Sequence, residues 1–356
     1  MAETRFYSAL KAFHFADRLR GIEADTLSAP IHVRIKPTNR CNQSCWFCAY
    51  RADHMQLGAD MAEVDQIPEP KMSEIVGDLI DMDVKAVTFS GGGEPLLYKP
   101  LPEMITRLGE GGIKVGCLTN GSNLKGRFAD ALATHGTWVR VSIDGWDDES
   151  YARSRGTRSG AFSKIVENIR AFAERGSACV LGASFIVGRD NHRHIHEACR
   201  LLKRAGARHV KLSAAVISND SSENNAYHAP MAATVKLQTE RALELESDTF
   251  RVANHYHLAS DCFDKGYSRC PSMRLLTVIG ADQTVYACQD KAYTAAGRLG
   301  SIENTSFKEF WFSDANRRRV QGIDPRRHCR HHCVSHAKNT VIGTYLDLDE
   351  DHLPFV

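Results

Sequence analysis

IHVRIKPTNRCNQSCWFCAYR, residues 31–51, is the stretch on which the fold of this 356-residue chain turns. It opens on a β-rich run, IHVRIKP, and passes straight into a loop carrying Cys41-x3-Cys45-x2-Cys48. Three thiolates on one short loop can hold three irons of a cubane cluster and leave the fourth iron without a protein ligand. A small molecule can chelate that open iron and take an electron from the cluster. The competing reading is a structural zinc knuckle, but zinc sites usually gather four ligands, often as two pairs. No fourth cysteine stands by the loop, and the nearest imidazole is His54.

Outward from the loop, residues 30 to about 215 alternate short β-rich runs with longer helical patterns, as βα units around a parallel sheet do. After IHVRIKP come VKAVTFS, IKVGCLTN, WVRVSID, CVLGASFIV and HVKLS. Between them lie amphipathic stretches such as KMSEIVGDLIDMD (71–83) and AFSKIVENIRAFAERG (161–176), the second ending on the glycine expected after a helix. Six units predict an α/β fold, a partial (β/α)6 TIM-like barrel that is open or three-quarters closed, because a full barrel takes about 250 residues. SNDSSENNAYH (218–228) reads as a loop and AATVKLQTERALELES (232–247) as a helix. The remainder is irregular and rich in Cys and His, with one hairpin candidate, LLTVIGADQTVYACQD (275–290), turning at Ala281 to Gln283. The expected division is an N-terminal extension (1–30), the barrel (31–218), a connecting loop and helix (219–258), a small Cys-rich domain (259–345) and a C-terminal tail (346–356).

Charged residues make up 25% and apolar ones 43%, with 45 basic against 43 acidic side chains, an ordinary balance that demands neither nucleic acid nor a membrane surface as partner. The start lacks the apolar core of a signal peptide, and no run approaches the roughly 18 apolar residues of a membrane span. The expected location is the cytoplasm, where thiols stay reduced, so the 11 cysteines call for a role other than disulfides. Cys117, Cys179 and Cys199 are scattered and suit small buried apolar positions.

Further motifs follow the predicted strands in order: Ser90-Gly91-Gly92-Gly93-Glu94-Pro95, Asn120 in LTNGS, Ser142-Ile143-Asp144, and Arg155 in SRGT. Glycines let backbone approach a ligand, and a carboxylate or carbonyl accepts from an ammonium. A glycine run after a strand is also a common turn, and Asp144 equally suits the cap of a helix near Asp147 to Tyr151. Taken with the cysteine loop and with Phe47 before its last cysteine, this order resembles the radical S-adenosylmethionine (SAM) superfamily over roughly residues 30–215. The resemblance implies that Cys41, Cys45 and Cys48 hold a SAM-binding 4Fe-4S cluster at the C-terminal ends of the barrel strands. It implies SAM contacts at Phe47, at Gly91, Gly92, Gly93 and Glu94 for the amino group, at Asn120, at Ser142 and Asp144 for the ribose, and at Arg155 for the carboxylate. One glycine here is extra to the family's Gly-Gly-Glu-Pro. The implied chemistry is reductive cleavage of SAM to methionine and a 5'-deoxyadenosyl radical, which takes hydrogen from a substrate carbon. The electron would come from a reductase, flavodoxin or ferredoxin.

Cys270 and Cys288 flank the hairpin, and Cys329 and Cys333 follow in RRHCRHHCVSH; together they can fully ligate a second cluster. Between them LGSIENTSFKEFW (299–311) resembles the connecting segment of SPASM and shorter twitch extensions, which bind auxiliary iron-sulfur clusters. The cysteines are too few for two such clusters, so the resemblance implies the twitch form with one auxiliary 4Fe-4S cluster. A structural zinc site is the rival, with His328, His331, His332 and His336 as extra ligands. Cys262 is open to three readings: a further thiol near the cluster, a hydrogen-atom donor, or a packed residue. Cys117 shares the donor-or-core question. Arg317 to Arg319, with Arg326 and Arg327, suit either an anionic substrate or a solvated helix face.

A cluster ligated wholly by protein cannot chelate substrate, which leaves it the task of moving electrons. Enzymes similar in layout include a cyclitol dehydrogenase, an aminoglycoside epimerase and peptide maturases, and the 30 residues before the first strand are too few for a maturase's leader-recognition domain. The expected reaction is therefore oxidation or epimerisation at a hydroxyl-bearing carbon of a carbohydrate-like small molecule: a sugar, cyclitol or nucleotide-sugar. Ribosomal peptide maturation is the alternative among enzymes, and a non-catalytic iron-sulfur or zinc protein the alternative outside them.

Overall fold

The computed structural model describes residues 7–51, 58–256 and 263–355. Its strands are β1 (His32–Ile35), β2 (Ala86–Phe89), β3 (Lys114–Thr119), β4 (Gly136–Ser142), β5 (Val180–Val187), β6 (His209–Ala214), β7 (Arg251–Asn254), β8 (Leu276–Ile279), β9 (Thr284–Tyr286) and β10 (Arg298–Ser301). They form one ten-stranded open sheet in the order β10-β9-β8-β1-β2-β3-β4-β5-β6-β7. β1 to β7 pair in parallel, with helices between them, so the α/β partial barrel predicted from the sequence is the observed core.

Each strand is two-faced in the way a pleated strand must be. Val33, Ile35, Val87, Phe89, Val115, Cys117, Val139, Val141, Leu181, Ala183, Val210 and Leu212 are buried in one core with the helices. The alternate residues face the barrel interior. Helix Glu69–Asp81 shows the matching helical rule: Met72, Ile75, Val76 and Leu79 are its buried positions, spaced to fall on one stripe. Each such side chain removed from water contributes roughly 1.5–3 kcal/mol.

Three features depart from the sequence reading. First, a seventh parallel strand, β7, follows the six expected; its RVAN sequence is too short and polar at its ends to announce itself. Second, the predicted hairpin forms, but β8 also pairs in parallel with β1, so the Cys-rich segment extends the barrel sheet. The edge of β1 would otherwise present a row of unpaired backbone groups. Third, residues 221–228 of the polar stretch are a helix, Ser221–His228, not a loop. Asp220 caps it by accepting from the Glu223 amide at 3.0 Å, and buried Asn224 donates to the Ser218 and Asp220 carbonyls.

The hairpin turns where expected, and Gln283 takes φ +57°, the left-handed region that favours glycine. Gln283→Gly is expected to raise stability by about 1 kcal/mol, read as a higher denaturant midpoint at unchanged slope. An unchanged or lower midpoint would contradict it. At the other end of the barrel, helix Ala16–Glu23 and helix His336–Leu346 pack through Leu19, Leu275 and Ile342. Among the described residues no helix is long and apolar enough to cross a membrane.

Candidate functional site

The cysteine loop leaves the C-terminal end of β1 and is stitched to each neighbouring strand end. Gly93 and Glu94 donate their amides to the Thr38 and Arg40 carbonyls at 3.1 and 2.8 Å. Asn42 donates to Ser122 at 2.9 Å and accepts from Asn120 at 2.8 Å, tying the loop to the end of β3. The Ser44 amide reaches the Arg155 carbonyl at 2.9 Å. Asn39 donates to the Ala62 carbonyl at 2.9 Å and accepts from Tyr293 at 2.6 Å. The motifs separated in sequence by more than a hundred residues are thus neighbours around Cys41, Cys45 and Cys48.

The glycines are required by this contact. A Cβ on Gly93 would lie 2.0 Å from the Arg40 carbonyl oxygen, one on Gly92 2.1 Å from Asn39 Oδ1, and one on Gly91 1.6 Å from the Gly93 oxygen. The Gly91 carbonyl accepts from Lys36 Nζ at 2.7 Å. Glu94 is buried, and its carboxylate accepts from Thr119 Oγ1 at 2.6 Å and from the Leu96 and Asn120 amides at 3.0 and 2.7 Å. Burial pushes the Glu94 carboxyl up, and those donors pull it back. Its first task is to fasten the ends of β2 and β3 beneath the loop.

Asp144 and Arg155 form a buried ion pair, with 0% and 5% of their side chains exposed. Asp144 also accepts from the Ile186 amide at 2.5 Å, while Arg155 donates to Gln43 at 3.3 Å and to Cys45 Sγ at 3.5 Å. The Arg155 guanidinium lies 5.2 Å from the Phe47 ring centre. The cap of the following helix is Asp147, whose side chain accepts from the Ser150 amide at 2.7 Å, so Asp144 is free of that duty. Ser142 meets Ser184 at 3.2 Å on the interior face. Cys117 lies on the opposite, helix-facing side with no exposed surface, and packs as a core residue; it has no approach to the interior from which to donate a hydrogen atom. Cys179 and Cys199 are core residues too. Cys262 lies outside the described residues.

Cys270, Cys288, Cys329 and Cys333 line one small cavity together with Tyr267, Asp290, His331 and Asn339. Asn339 donates to Cys270 Sγ at 3.2 Å. Of the histidines weighed as zinc ligands, His331 alone reaches this cavity among the described residues. His328 is engaged with Asp324, His332 meets the Phe263 ring, and His336 meets Tyr267. Among the described residues no three His, Cys, Asp or Glu side chains are close enough to hold a single metal ion.

Sequence reasoning missed the link between the two cysteine sites. Tyr50, two residues after Cys48, takes hydrogen bonds from Lys36 Nζ at 2.7 Å and from Gln289 Nε2 at 2.5 Å, and Gln289 adjoins Cys288. Gln289 accepts from Arg34 at 3.1 Å. The signal was present: Arg34 and Lys36 are cations at alternate positions of a strand that parallel-sheet burial would make apolar. The arginine run of 317–319 is exposed, with Arg317 paired to Asp314, as a solvated helix face is.

Both cysteine sets suit iron ligation after deprotonation. Burial raises Cys45 from 9.0 to about 11, with Arg155 pulling down, and raises Cys41, Cys270 (about 11), Cys333 (about 12), Cys329 and Cys288. Raised thiols are protonated near pH 7, so binding iron must release protons and tighten as pH rises, by up to about tenfold per unit for each thiol. Calorimetry of anaerobic iron loading in buffers of different ionisation enthalpy should register that release; its absence would contradict the ligand assignment.

Residues 35–202 match the family model of the Radical SAM superfamily, and the chain carries a radical SAM domain over them. That domain binds a 4Fe-4S cluster and SAM. The S-adenosylmethionine-dependent nucleotide dehydratase of Lacinutrix mariniflava is 33% identical over 110 residues, 31% of this chain and 22% of that protein. The probable GTP 3',8-cyclase of Halobacterium salinarum is 31% identical over 156 residues, 42% of this chain and 40% of that protein. The chain thus spans well under half the length of either curated relative. Streptococcus suis SuiB bound to S-adenosylmethionine shares the fold, with a TM-score of 0.64 at 16% identity over 85% of this chain and 70% of that one.

Proposed function

We propose that the protein is a radical SAM oxidoreductase or epimerase acting at a hydroxyl-bearing carbon of a carbohydrate-like small molecule: a sugar, cyclitol or nucleotide-sugar. The observation that carries the reading is the pair of cysteine sites joined through Tyr50 and Gln289, one on the loop after β1 and one whose four cysteines line a single cavity. With cluster and SAM bound at Cys41, Cys45 and Cys48, the site supplies a carbon radical able to take hydrogen from substrate. Arg155, held by Asp144, offers fixed positive charge beside Cys45 for a carboxylate, and Phe47 supplies an aromatic face next to it. Glu94 keeps the Gly91–Gly93 backbone and Asn120 at the loop. The polar interior pair Ser142 and Ser184 suits hydroxyl recognition. Two relatives named for nucleotide chemistry favour the nucleotide-sugar end of the range.

In this reading residues 259–345 form a twitch-like unit whose cysteine tetrad holds an auxiliary 4Fe-4S cluster and accepts an electron from the substrate radical. The protein works in the cytoplasm with a flavodoxin- or ferredoxin-type donor. Cys270→Ala/Cys288→Ala should lower iron and sulfide by about half; unchanged iron with loss of bound zinc would sink the auxiliary cluster. For the reaction, a dehydrogenase consumes one SAM per product and takes no deuterium from solvent, whereas an epimerase takes deuterium. If a peptide accelerates SAM cleavage and no sugar, cyclitol or nucleotide-sugar does, the carbohydrate reading fails.

A further inference from the structure

The interior face of the sheet bears cations where a packed barrel bears bulky apolar layers. His32, Arg34 and Lys36 alternate on and after β1 with buried Val33 and Ile35; Trp138 and Arg140 alternate on β4 with Val139 and Val141; His209 and Lys211 alternate on β6 with Val210 and Leu212. Two strands give up side chains to make room. A Cβ on Gly116 of β3 would lie 2.3 Å from the Trp138 ring, and one on Gly182 of β5 would lie 2.2 Å from the His209 ring. Tyr7 reaches in from the N-terminal segment and gathers the basic groups: its hydroxyl is 3.1 Å from Arg140 and 3.2 Å from His209, and Lys211 Nζ lies 5.2 Å from its ring centre.

These charges face one another. Burial, together with repulsion from Arg140, Arg34 and Lys338, lowers Lys211 from 10.5 to about 7. Arg34 is lowered by burial and by Arg140, with Asp290 and Cys288 opposing; Asp290 itself accepts from the Val334 amide at 2.9 Å. Among the described residues, Arg34, Arg140, Lys211 and Lys338 make no ion pair with Asp or Glu, and Arg34 Nε and Arg140 Nε are buried without an acceptor. Gathered and unneutralised charge of one sign is costly unless a counter-charge arrives.

We propose that the barrel interior is an anion site in which Arg34, Arg140 and Lys211 hold a di- or triphosphate group of the substrate. A single carboxylate would leave most of this charge uncompensated, whereas guanidinium forks match the several oxygens of linked phosphates. The register sets the direction: Arg140 is level with Gly182 and His209, while Lys211 is level with Ser184 and Ser142, nearer the strand ends from which the cysteine loop hangs. The phosphates sit deep and the hydroxyl-bearing part of the molecule lies towards the loop. The substrate class rests on the proposed function, but the anion site does not.

Titration of the anaerobically reconstituted full-length protein with sodium tripolyphosphate at low salt tests it. Binding is expected in the wild type, weakened about tenfold to a hundredfold in Arg140→Gln and Lys211→Gln, as loss of one charged donor implies. Lys211→Arg should retain it, which separates lost charge from lost packing should Arg140→Gln fail to fold. Arg317→Gln/Arg318→Gln, on the exposed run, should also retain it. The site is overturned if wild type does not bind, if the interior variants bind equally, if only the exposed-run variant loses binding, or if citrate binds more tightly than tripolyphosphate. Formation of 5'-deoxyadenosine without substrate is read on the same samples. Its absence alongside interior-dependent anion binding would sink the radical reading and leave the anion site, and the converse would sink the anion site alone.

Discussion

Arg155→Met is expected to destabilise the protein by about 3–5 kcal/mol and to abolish SAM cleavage, because it strands Asp144 as an unpaired charge in a site with no exposed surface. The pair's net contribution is smaller than that loss, since forming it removes both charges from water. Asp144→Asn/Arg155→Met should therefore recover most of the stability: the amide oxygen still accepts from the Ile186 amide, and no charge is buried. It should not recover SAM cleavage, because in the proposed function Arg155 supplies the positive charge beside Cys45. Denaturant unfolding of the cluster-free proteins reads the first effect, and 5'-deoxyadenosine formation the second. A double variant as unstable as the single one would show that Arg155 acts through its packing on Phe47 and Tyr151 instead.

Gly93→Ala is the second large effect. The added methyl meets the Arg40 carbonyl at 2.0 Å and the Asn39 carbonyl carbon at 2.5 Å, and these are backbone atoms that cannot swing aside. The cysteine loop must move, and both the Gly93-to-Thr38 and Glu94-to-Arg40 hydrogen bonds go with it. The expected cost is about 3 kcal/mol, with iron content at the first site falling to the level of Cys41→Ala. Lost SAM affinity at full iron content would instead assign Gly93 to the ligand and not to the loop.

Much of the site was legible because its chemistry is local. Cys41, Cys45 and Cys48 stand out by their spacing on one loop, and Cys270, Cys288, Cys329 and Cys333 are four of the five cysteines late in the chain; these four line one cavity. What could not be read depended on partners far away in sequence. Asp144 and Arg155 stood in different motifs, and only the fold makes each the other's counter-ion. The face occupied by Cys117 follows from the phase of β3, fixed by Gly116 yielding to Trp138 across the strand pair, which no run of residues reveals by itself. The loop expected at 218–228 failed for a local reason: Asn and Ser were weighed as loop formers, whereas Asp220 and Asn224 satisfy the backbone of a short helix. The pairing of β8 with β1 joins residues 244 positions apart, as His32 to Leu276, beyond any pattern in the strands themselves.

The most direct test of the account is product analysis after anaerobic reconstitution with iron and sulfide. Supplied with dithionite and SAM, the wild-type protein is predicted to form 5'-deoxyadenosine, and the Cys45→Ala protein to form none. A wild-type protein that carries its full iron and sulfide yet yields no 5'-deoxyadenosine would contradict it.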